Sequence, residues 1–192
     1  MMNMSGTILD SPLVMNSSML RQFLIILCLT LGSTYEANAE VFFTLDEARQ
    51  TLWKDTPMHS VPITLTKSQV DAIEKHSKIR VLTNKVNAWK TSTGGWFIVD
   101  QVIGKHEMID VAVAINRTGK IKGLKIMTYN ESYGSEVRNP KWLSQFHGRD
   151  NTIHLKLDEQ IDNITGATLS CRHITDGVNR WAHTWDIVLR HL

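Results

Sequence analysis

Between residues 96 and 129 the chain reads as three apolar runs joined by two short polar breaks, and this pattern most narrows the folds open to it. Residues 96–103 (WFIVDQVI) are nearly continuous apolar strand, preceded by a Gly94-Gly95 turn. Ile109, Val111, Val113 and Ile115 alternate strictly, so they line one face of a second strand. The Asn116-Arg117-Thr118-Gly119 turn leads into a third run at 121–129. Three sequential strands joined by tight turns make an antiparallel meander.

The flanks add helices. Thr44-Leu45-Asp46-Glu47 and Thr66-Lys67-Ser68-Gln69 are capping boxes. The first should open a helix ending near Trp53, before Pro57. The second should open one carrying Val70 and Ile73 to about Lys78. Residues 61–65, Val81 and residues 86–90 read as strand, 142–146 as a short helix and 155–161 as a short strand or extended run. Ile174, Val178, Trp181, Trp185 and Val188 recur at steps of four and three, which predicts an amphipathic helix over 170–189. The expected class is α+β, an antiparallel sheet with packed helices.

Residues 23–31 (FLIILCLTL) form a short uncharged apolar core, with Arg21 before it and Ala37-Asn38-Ala39 after it. That is the layout of a cleavable secretory signal over residues 1–39. The run is shorter than the roughly 20 residues that span a bilayer. A start at Met19 would give the signal MLRQFL, and an uncleaved anchor is the alternative. The expected organisation is thus signal 1–39, an N-terminal α/β elaboration 40–94 and a main domain 95–192. Beyond residue 39 only Cys171 remains, too few cysteines for an internal disulfide or a zinc site of its own. The net charge of +2, without a basic run, argues against nucleic acid as partner.

The chemistry concentrates at Asp162-Asn163-Ile164-Thr165-Gly166-Ala167-Thr168-Leu169-Ser170. Gly166 and Ala167 let a backbone approach a ligand closely. Thr165, Thr168 and Ser170 crowd hydroxyls where the last helix begins, and the unpaired N–H groups there suit a phosphate. The local residues also fit a plain Ser/Thr N-cap with a tight turn.

Asp162-x-x-Thr165-Gly166-Ala167-Thr168 resembles the flavinylation motif of FMN-binding domains. Such domains occur in the FMN-carrying subunits of the Rnf complex and of the sodium-pumping NADH–quinone reductase, and in small exported flavoproteins. A second block, Tyr129-Asn130-Glu131-Ser132-Tyr133-Gly134 with Trp142 and Phe146-His147-Gly148, resembles the family's E-[ST]-x-G loop and its downstream W…F-x-G. The resemblance runs from Gly95 to the C-terminus. Cys171 stands where Ser or Thr is common, and Tyr133 replaces a small residue or proline; these departures bear on subfamily, not on the acceptor.

The resemblance implies FMN joined through its phosphate to the hydroxyl of Thr168. A separate Mg-dependent flavin transferase would make the bond from FAD, reading Asp162 and residues 166–168. It places Glu131, Ser132, Tyr133 and Gly134 near the ring or ribityl chain, with Trp142 in the same block. The phosphate is expected against the amides near 168–171, including that of Leu169, with a hydroxyl contact from Ser170. No residue need act as acid or base. The implied role is electron transfer in the periplasm or at the outer membrane face, with a cytochrome or membrane electron-transfer subunit as partner. A non-redox binding or sensory module and a small-molecule reductase are the alternatives; no strand followed by G-x-G-x-x-G supports the latter.

Other residues have plainer readings. The eight histidines are scattered, without C-x-x-C-H or H-E-x-x-H. Arg172 and His173 follow Thr168 closely enough to meet a phosphate or solvent. Cys171 reads as a small buried residue, or as a thiol activated at the helix N-terminus. Trp181 and Trp185 read as core, and Lys120, Lys122 and Lys125 as a solvated face.

Overall fold

The computed structural model describes residues 40–131 and 133–192. The expected signal lies outside the described residues, as does Ser132. Six antiparallel strands form one sheet: β1 (Glu40–Val41), β2 (Met58–Thr64), β3 (Lys85–Thr91), β4 (Trp96–Ile103), β5 (Met108–Ile115) and β6 (Ile121–Tyr129). Their order is β1-β6-β5-β4-β3-β2. The described residues start at one edge, cross to the other through helix α1 (Leu45–Trp53), and return strand by strand from β2 to β6. The expected α+β class and meander are both present. Residues 40–94 contribute β1, β2 and β3 to this one sheet.

Both capping boxes form. Thr44 accepts from the Glu47 amide while the Glu47 carboxylate accepts from the Thr44 N–H at 2.8 Å. Thr66 and Gln69 do the same for α2 (Lys67–Ser77). Each cap supplies partners for amides that a helix cannot satisfy internally, which is why the sequence marks these starts sharply.

β5 is buried on both faces. Ile109, Val111, Val113 and Ile115 join the main core, while Ala112 and Ala114 face the second core beneath α1. The period-2 rule thus holds, but the far face is covered by Ala48, Leu52 and Trp53 rather than by water. This cover also changes the reading of the lysines on and beside β6. Lys122 lies 4.9 Å over the Trp53 ring and donates to the Leu52 carbonyl, and Lys125 lies 5.2 Å over Phe43. Lys120, paired with Asp150 at 3.9 Å, and Lys122 are exposed, while Lys125 is half-buried.

The other face carries α2 and the long helix α4 (Thr168–Ile187). Trp181 is 2% exposed, and its indole N–H donates to Asp100 Oδ2 at 2.7 Å. The same carboxylate oxygen accepts from Arg180 at 2.9 Å, and Arg180 also donates to the carbonyls of Gln101 and Arg80. A guanidinium can lie under the helix only with such partners around it.

Four expectations shift. Val81 is in no strand, and β2 starts at Met58, three residues before the expected 61. Residues 155–161 form turns with a single parallel bridge, Leu157 to Ile161, because local hydrogen bonds from Asp158, Gln160 and Ile161 close the segment on itself. The helix expected at 142–146 begins earlier, as α3 (Pro140–Leu143), where Pro140 sits at the first turn and the Asn139 side chain caps the Lys141 amide; a 3-10 turn, Ser144–Phe146, continues it.

Candidate functional site

One end of the sheet gathers the loop between β4 and β5, the end of β6 and the start of α4. The antiparallel register makes this unavoidable, because β4 ends where β5 begins and β6 ends alongside. A hollow of about 410 Å³ opens there, lined by Lys105, His106, Glu131, Tyr133 and residues 166–170. The volume lies in the range of small-ligand sites.

The α4 helix starts at Thr168, two residues before the expected 170. Its N-cap position is Ala167, and no side chain caps the helix. The amides of Thr168, Leu169 and Ser170 therefore lack intrahelical partners and carry the positive end of a 20-residue helix. There is no acidic residue in that first turn. The plain N-cap reading of the hydroxyls is thus not what the chain builds. Gly166 turns the backbone at φ 89°, and a Cβ there would meet nothing within 4 Å, so the chain before the helix faces open space.

Tyr129 ties the two sequence blocks together. It is 3% exposed. Its hydroxyl donates to the Tyr133 carbonyl at 2.6 Å and lies 3.0 Å from Ser170 Oγ. A phenol has one proton, so Ser170 is the donor in the second bond. The Ser170 proton thus points inward, and Ser170 cannot also give the hydroxyl contact expected of it at a phosphate. Burial pushes the Tyr129 phenol pKa up, against the lowering effect of Ser170 and helped by Glu131, Glu136 and Cys171. Gly134, at φ 90°, lets the loop lie flat on the motif: a Cβ would come within 2.6 Å of Tyr129 Oη and 3.3 Å of the Ala167 backbone.

Glu131 borders the hollow, but its carboxylate turns to the β4–β5 loop. Its Oε1 accepts from the His106 amide at 2.6 Å and the Glu107 amide at 3.0 Å. Burial works to raise its pKa, yet the backbone N–H groups of His106, Glu107 and Lys105 and the His106 imidazole outweigh it and hold the carboxyl below its usual value.

The remaining motif residues stand around the hollow rather than in it. Trp142 packs edge-on against Phe146 and donates its indole N–H to the Asp162 carbonyl at 2.7 Å. The Asp162 amide donates to Gln145 Oε1 at 2.8 Å. Trp142 thus anchors the motif from behind. The side chains of Asp162 and Thr165 are exposed.

Thr168 is half-buried and also borders a second hollow of about 280 Å³ with Lys156, Asp158 and Arg172. Arg172, one turn along α4, shares that side of Thr168. His173 does not; it lines a hollow beside Leu82 and Ile103. Cys171 is fully buried, and burial pushes its thiol pKa up, so it is the packed residue and not the activated one. Among the described residues no group of three or more His, Cys, Asp or Glu side chains could hold a metal ion.

Residues 104–183 match the FMN-binding domain family. This stretch belongs to that family. No curated protein matches the chain significantly. The match begins at Gly104, where the hollow's first wall begins, and ends within α4. The match supports an FMN-binding flavoprotein. The uncapped amides, the absence of acid in the first turn and the size of the hollow fit a phosphate carrying a flavin. Lys105 and His106 are the lining residues that sequence patterning does not single out; Gly104, separating β4 from β5, is the one local sign of a close approach.

Proposed function

We propose that the protein is an exported electron-transfer flavoprotein carrying FMN in a phosphoester bond to Thr168. The observation that carries this reading is the position of Thr168: the first residue of an uncapped helix, on the wall of the hollow beside the Glu131–Gly134 loop. Its backbone amide and those of Leu169 and Ser170 would hold the phosphate. Lys105, Tyr133 and the 166–167 backbone would flank the flavin. When bound, FMN supplies the redox chemistry.

Among the described residues none hydrogen-bonds to the Thr168 hydroxyl, so no neighbour stands as its base. A threonine hydroxyl without a base is a weak nucleophile. This supports attachment by a separate Mg-dependent flavin transferase with FAD as donor, for which exposed Asp162 and Thr165 offer recognition. The apolar run at 23–31 and the Ala37-Asn38-Ala39 end support export. The electron partner is then a cytochrome or a membrane electron-transfer subunit.

Protein co-produced with a flavin transferase should show flavin fluorescence that survives denaturing gel electrophoresis, and Thr168→Val should abolish it. Fluorescence retained in the variant would move the acceptor elsewhere. Flavin lost wholly on denaturation of the unaltered protein would exclude a covalent bond.

A further inference from the structure

The 104–107 loop has no part in the attachment chemistry, yet it forms a wall of the hollow. It brings Lys105 and His106 to the same space as Thr168 and Tyr133. The loop is held in two ways. The Gly104 amide donates to the Glu107 carbonyl at 2.7 Å, closing the hairpin. Glu131, from beyond the end of β6, places Oε1 on the amides of His106 and Glu107. The fit is close enough that a Cβ at Gly104 would lie 2.4 Å from that oxygen. The Glu131 charge is thereby directed at backbone amides, while the Lys105 ammonium is left with no ion-pair partner among the described residues.

We propose that the 104–107 loop, clasped by Glu131, presents Lys105 as the cation that faces the flavin and favours its reduction. The inference rests on the reading that FMN occupies this hollow. Two electrons from a donor and one proton leave the flavin with one more negative charge than it had oxidised. A fixed positive charge beside it stabilises that form relative to the oxidised one. Lys105 touches the cofactor; Glu131 is a positioning residue that acts through the loop.

The test is a dithionite titration of the flavin-loaded protein at low salt, read by flavin absorbance against a reference dye. Lys105→Gln, at an exposed position, should lower the reduction equilibrium constant about fivefold, or about 20 mV for a two-electron couple. The effect should shrink at high salt. In a Glu131→Ala background, with the clasp gone, the same substitution should change the constant less than twofold. In a Glu131→Gln background, which keeps an acceptor oxygen for the two amides, it should stay near fivefold. A Lys105→Gln potential equal to that of the unaltered protein would overturn the inference while leaving the flavin site intact. An undiminished effect in the Glu131→Ala background would overturn the clasp. A preparation carrying no flavin would overturn the functional reading, and the inference with it.

Discussion

Replacing Tyr129 by Phe removes one oxygen from the junction between the Glu131–Gly134 loop and the start of α4. Two hydrogen bonds go with it, to the Tyr133 carbonyl and from Ser170. Each is worth about 1 kcal/mol net, and leaving the Ser170 hydroxyl without a partner adds a cost of similar size. Ser170 is 4% exposed, so water does not replace the lost oxygen. The loss should be about 3 kcal/mol. For a domain of this size that lowers Tm by about 6–12 °C. Urea unfolding should show a lower midpoint with an unchanged slope, since the fold and its buried surface stay the same. Paired with Ser170→Ala in a double-mutant cycle, the two changes should couple by about 1 kcal/mol. A change below about 0.5 kcal/mol for Tyr129→Phe, or strict additivity in the cycle, would refute the idea that this phenol bolts the loop to the motif.

Three further outcomes follow from other contacts. Gly134→Ala forces a Cβ into a left-handed backbone 2.6 Å from Tyr129 Oη, and should cost more than about 1 kcal/mol by thermal unfolding while reducing flavin loading. Asp100→Ala strips the partner from Arg180 and from the Trp181 indole, and should destabilise by about 3 kcal/mol in urea without altering the flavin spectrum. Burial, and then the neighbouring His76, lower the His183 pKa, so the unfolded chain takes up a proton first as pH falls below about 6.5. Stability should therefore fall as pH drops through 6.5 towards the folded value, and His183→Leu should flatten that part of a urea-midpoint profile between pH 7.5 and 5.5.

Local signals carried the frame of the fold. Thr44, Glu47, Thr66 and Gln69 act within one turn, so two helix starts were readable from four residues. The alternation at Ile109 to Ile115 gave one face of β5, but the burial of Ala112 and Ala114 depends on where α1 crosses, which no window of sequence contains. Residues 155–161 read as a short strand or extended run because apolar Leu155, Leu157 and Ile161 are spaced for one; hydrogen bonds inside the segment close it into turns instead. At the site, the motif around Thr168 and the Glu131–Gly134 loop were visible as separate blocks. Their junction through Tyr129 and Ser170 spans 41 residues and was not. Nor was the inward turn of Ser170, which follows from a single phenolic proton. The loop with Lys105 and His106 shows no pattern of its own, since its place is set by a carboxylate 24 and 25 residues further on.

The most direct measurement is the intact mass of the protein co-produced with a flavin transferase, followed by fragmentation to place any added group. The expected result is a gain of one FMN less one water, carried by Thr168. An unmodified mass in a preparation that nevertheless contains flavin, or an added group on another residue, would contradict a phosphoester at Thr168.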